Sequence, residues 1–114
     1  MAGDQGIRVD EFTRTRGACC VVHSLVATIP PGGSTGWHRH HAWQTGIVAR
    51  GRLRHRTADA ERFHGPGDVL VERPGVDHEA SNVSDEELVL VFVAARPEGV
   101  PLSTAAARGP AKLT

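Results

Sequence analysis

Apolar residues in this chain come in short bursts broken by glycine and proline. The run ACCVVHSLVATI (18–29) is rich in β-branched residues and stops at Pro30-Pro31-Gly32-Gly33, which predicts a strand closed by a turn. QTGIVARG (44–51) and RLRHRTA (52–58) read as two more strands. In the second, Leu53, His55 and Thr57 share one face, and Arg52, Arg54 and Arg56 the other. HGPGD (64–68) predicts a turn, VLVERP (69–74) a strand ending at Pro74-Gly75, and HEASNVSDEE (78–87) a polar loop. LVLVFVAA (88–95) is apolar at every position, which predicts a strand covered on both faces.

No stretch carries sustained helical periodicity. Strand signals at intervals of about ten residues predict a single all-β domain, a sandwich or a barrel. Residues 1–17 read as an N-terminal arm with a first strand, 18–102 as the barrel, and 103–114 as a tail expected to fray beyond Leu102.

Composition narrows the function classes. The 13 basic and 13 acidic residues cancel, and the arginines are dispersed, so nothing points to nucleic acid. No apolar run is long enough to span a bilayer. The opening MAGDQGIRVDEF is acidic and lacks an apolar core, so no secretory signal is expected and a cytoplasmic location is. The two cysteines, Cys19 and Cys20, are adjacent. On an extended strand they would face opposite ways, and the expectation is two reduced thiols.

The segment TGWHRHHAWQ (35–44) concentrates the candidate chemistry. His38 and His40, at i and i+2, fall on the same face of a strand with backbones about 7 Å apart, close enough for both imidazoles to meet one ion. Gln44 keeps that face, and His78 arrives from a distant turn. Three imidazoles and an amide suit one divalent ion per chain, whether Zn, Fe, Ni, Mn or Cu. An HxH pair alone fits exposed or structural histidines equally well; the flanking pattern changes that balance.

The stretch from Gly32 to Gly51 resembles the first motif of the cupin superfamily: Gly32, five residues, His38-x-His40, three residues, Gln44 in the usual glutamate position, six residues, Gly51. The second motif is matched by Gly67, Gly75, His78 and Asn82, with Arg73 where a proline is usual and Pro74 displaced by one. The resemblance implies a single-domain cupin β-barrel, a jelly roll or double-stranded β-helix, with metal ligands His38, His40, Gln44 and His78. It is also the basis for expecting a homodimer, to which the apolar run 88–95 adds weight.

A shell of four neutral ligands leaves a divalent ion its full charge. That favours a Lewis acid acting on an oxygenated small molecule, in an isomerase, lyase or cyclase. The alternatives are a dioxygenase using the same site, a non-catalytic ligand-binding cupin, and a barrel with no metal. His55, His23 and His41 are the candidate proton carriers, each equally readable as a hydrogen-bonded bystander. Trp43 is a candidate for stacking on substrate, though large residues such as Trp37 and Trp43 more commonly fill packing layers. Asp77 and Asn82 read best as turn formers.

Overall fold

The computed structural model describes residues 6–106, all β and without helix. Its strands are β1 (Arg8–Arg16), β2 (Cys20–Ile29), β3 (His38–His40), β4 (Gln44–Arg50), β5 (Leu53–Arg56), β6 (Glu61–His64), β7 (Val69–Glu72), β8 (Glu79–Asn82), β9 (Leu88–Pro97) and β10 (Ser103–Ala105). A five-stranded antiparallel sheet, ordered β1-β2-β9-β4-β7, faces a three-stranded one, β6-β5-β8. Bridges Ser34↔Ser81 and His38↔His78 carry the second sheet on to the small β3–β10 ladder. The result is a barrel of two sheets.

Alternation decides what enters the barrel. On β2, Val21, His23, Leu25, Ala27 and Ile29 are buried and point inward, as period-2 geometry requires. The base is packed by Ile29, Val48, Leu53 and Leu88, none more than 1% exposed, each contributing about 2 kcal/mol of apolar burial. Gly51, the last residue of the first motif, has φ +86° and sits where a Cβ would meet Glu87 O at 2.7 Å. Only glycine fits there.

Four expectations change. The polar segment 78–87 is not all loop, because Glu79–Asn82 form β8, entirely buried, with its polar side chains spent on internal hydrogen bonds. Strand β9 is not covered on both faces of the chain: Val91 and Val93 are 39% and 45% exposed. The sulfurs of Cys19 and Cys20 are joined as a vicinal disulfide instead of standing as free thiols. Cys19 lies in the bend before β2, where neighbouring side chains need not oppose each other. Ser103–Ala105 also pair with His38–His40, so part of the segment read as tail closes the site's own strand.

Candidate functional site: a histidine cluster around a buried glutamate

β3 presents His38 and His40, β8 is preceded by His78, β5 supplies His55, and β4 and β7 supply Gln44 and Glu72 as directly paired residues. The ligand atoms of His38, His40 and His78 lie within 4.8 Å of one another, and so do those of His55, Glu72 and His78. One side of the barrel thus delivers the imidazoles, and the five-stranded sheet the amide and the carboxylate, to one point.

Hydrogen bonds fix the tautomers. Nδ1 of His38 donates to Gly36 O (2.9 Å), Nδ1 of His40 to Leu102 O (3.2 Å), and Nδ1 of His78 to Val76 O (3.0 Å). A carbonyl oxygen can only accept, so each Nδ1 carries a proton, and in the neutral ring Nε2 is left with its lone pair. Nε2 of His40 and of His78 are buried and have no hydrogen-bond partner among the described residues. They stand 3.2 Å from Glu72 Oε1 and Oε2 respectively. A lone pair facing a carboxylate oxygen in a dry site is repulsive unless a proton or a metal ion lies between them. Donors bound in cis positions about 2.1 Å from one ion lie about 3 Å apart, which these contacts approach. The residues fit a metal.

Glu72 is the residue that sequence reasoning missed. Its Oε1 accepts from Gln44 Nε2 (2.9 Å), and its Oε2 from His55 Nε2 (3.0 Å). Burial alone would push its carboxyl up, but the facing His40, His55 and His78 outweigh that and hold it well below the usual carboxylate range. His78 is shifted up, because the attraction of Glu72 exceeds the effect of burial. Burial pushes His38 down to about 4, so it stays neutral and able to ligate. A signal for Glu72 existed in VLVE, where it shares the parity of inward-facing Leu70; the apolar residues on both parities obscured it.

The other candidates lie elsewhere. Buried His23 is held between Glu11 (2.6 Å) and Arg96 (3.1 Å), away from the cluster. His41 pairs with Thr104 Oγ1 at 2.6 Å. Trp43 is 58% exposed in the turn before β4, and half-buried Trp37 lies under the Arg56 guanidinium. Asp77, in the turn before β8, pairs with Arg39 (2.8 Å). Asn82 is 2% exposed and caps the β8 turn through Ile29 O, Glu86 O and Ser84.

Beside the cluster is a chamber of about 140 Å³ inside the barrel, with His38, His40, Gln44 and Glu72 at one end. On the opposite side, His55 and Glu72 line a more polar opening between β6 and β7, with Arg62 and His64.

The cupin domain family matches residues 25–94, more than half of the chain. The chain belongs to the cupins. Among solved structures, this cupin is similar to a Klebsiella pneumoniae protein with a double-stranded β-helix domain (22% identity, 92% of this chain and 88% of that one, TM-score 0.72). It is also similar to a cupin 2 conserved barrel domain protein of Salinispora arenicola (26% identity, 80% and 76% covered, TM-score 0.66). A third likeness is to a structure of the DMSP lyases RdDddP and RnDddQII (18% identity, 75% of this chain, TM-score 0.64); the cupin spans 44% of that chain. No curated protein matches it. Among the described residues no helix is long and apolar enough to cross a membrane.

Proposed function

We propose that this cupin is a metal-dependent enzyme acting on a small oxygenated molecule, with one divalent ion held by His38, His40 and His78 through Nε2. The observation that carries this reading is the convergence of ligand atoms from His38, His40 and His78, whose Nδ1 protons are already committed to backbone carbonyls. Glu72 is the fourth donor on this reading. Gln44, whose amide nitrogen goes to Glu72, serves best by holding that carboxylate; as a ligand it would have to turn its amide over. The metal, whether Zn, Fe, Ni, Mn or Cu, would supply Lewis acidity towards a substrate carbonyl or enol.

The chain's own groups handle the proton. His55 donates its Nε2 proton to Glu72, leaving Nδ1 free to accept one, and it borders the polar opening through which protons reach solvent. His55 is therefore the proton carrier of choice, and the reaction class is isomerase, lyase or cyclase. One observation favours a second reading. With Glu72 in the donor set the shell is no longer neutral, and a carboxylate supports the higher oxidation states that a dioxygenase needs.

Elemental analysis of untagged protein tests the site: about one metal per chain in the wild type and none in His40→Ala. Retention of stoichiometric metal by His40→Ala would sink the proposal. Oxygen uptake with a turned-over substrate separates the two reaction classes.

The homodimer remains part of the reading. The outer face of the five-stranded sheet carries Val22, Ile47, Val69, Val71, Val91 and Val93, each 38–62% exposed. Uncharged and β-branched across four strands, this face suits a second copy of itself better than water.

A further inference from the structure

The chamber beside the histidines exists because three inward positions carry the smallest side chains. Ala27 on β2, Gly46 on β4 and Ala80 on β8 all line it, between the packed base and the cluster. A Cβ on Gly46 would meet Phe92 Cβ at 2.8 Å, so Phe92 lies across the glycine and forms part of the wall. The remainder is aliphatic, from Ile29, Leu53, Leu70 and Leu90.

The polar groups in the wall have little to offer a ligand. Thr35 Oγ1 already donates to Gly36 O and accepts from Ala80 N. The Nδ1 protons of His38 and His40 and one N–H of the Gln44 amide are also engaged. Among the described residues no lysine or arginine lines the space, and the charged group there is the Glu72 carboxylate. Away from the histidine end, an anionic group would lose its water against aliphatic side chains with no cation beside it. A polyhydroxylated one would lose its water hydrogen bonds without replacement.

We infer that this site takes a small uncharged organic molecule whose apolar body, about the size of a benzene ring, fills the chamber while its oxygen-bearing end faces His38 and His40. The chamber, at about 140 Å³, nearly equals the cavity of about 150 Å³ that admits benzene in an apolar protein interior. The orientation of the oxygen end rests on the proposed metal site; the apolar body does not.

Benzene, acetylacetone and glucuronate serve as probes on the full chain, with and without nickel, followed by ligand-observed NMR. Benzene is expected to bind with or without the metal, and about tenfold or more weakly in Ala27→Leu, whose larger side chain occupies the space. Acetylacetone should bind more tightly with nickel present, and glucuronate at least tenfold more weakly than acetylacetone. Should Ala27→Leu fail to fold, Leu90→Ala reads the same chamber by enlargement and should gain affinity for naphthalene.

Absence of benzene binding, unchanged affinity in Ala27→Leu, no gain in Leu90→Ala, or preference for glucuronate would each overturn the inference. Metal bound without benzene binding removes this inference and spares the metal site. Benzene bound to a protein that takes no metal does the reverse.

Discussion

Replacing Glu72 by glutamine keeps the shape of the side chain and removes the one anion at the centre of the cluster. Its carboxylate lies 3.2 Å from Nε2 of both His40 and His78, with its side chain only 10% exposed. At that separation, and at an effective dielectric of about 20, Coulomb's law gives about 5 kcal/mol for each unit of positive charge. The amide dipole returns part of this, and the metal-free protein also loses the attraction of Glu72 for a proton on His78. The net loss in metal affinity is then about 3 kcal/mol, on the order of a hundredfold in Kd. Stability without metal should fall, because the facing imidazoles hold Glu72 ionised and the amide removes one partner of those buried contacts. Calorimetric titration of chelator-treated protein with nickel gives the Kd, and thermal melts with and without nickel give the second quantity. A Glu72→Gln protein binding nickel as tightly as wild type, beside a Gln44→Ala protein that has lost it, would refute the reasoning and return the fourth ligand to Gln44.

A proton on His78 competes with the metal, and Glu72 raises that group above its ordinary 6.5. Metal affinity should therefore climb with pH through neutrality and level off only above the raised value, with His38 ready at any pH above about 4; a Kd flat between about pH 5.5 and 8.5 would contradict this. Asn82→Ala leaves Ile29 O, Glu86 O and Ser84 N without their side-chain partner in a buried turn, an expected loss of about 3 kcal/mol in urea unfolding, and a loss under about 1 kcal/mol would show that the turn finds other partners. Wild type should run as a dimer by light scattering and Val71→Lys/Val93→Lys as a folded monomer; a wild-type monomer at high concentration removes the sheet face as a self-interface. Leu53→Ala should cost about 3 kcal/mol of stability and leave metal stoichiometry unchanged, since Leu53 packs the base of the barrel and is 0% exposed.

Alternation and turn residues are local properties, and they were enough to read a single all-β domain and the shared face of Leu53 and His55; the barrel and the glycine at position 51 came with the motif resemblance. The spacing of His38, His40 and His78 within the two motifs also lay on the surface of the sequence, and the barrel brings those three together. Residue 44 shows where local reading stops. Its identity and its inward parity were legible, but the partner its amide meets is set by strand pairing, and β4 pairs with β7 so that Gln44 stands opposite Glu72. Long-range register depends on which hydrophobic faces pack together, information no single window holds. The same holds for β8, whose polar side chains look solvated until Ser34, Arg56 and Ile29 are folded against them. The chamber is likewise a tertiary product: Ala27, Gly46 and Ala80 are ordinary small residues in sequence and become a cavity only when three strands aim them at the same space.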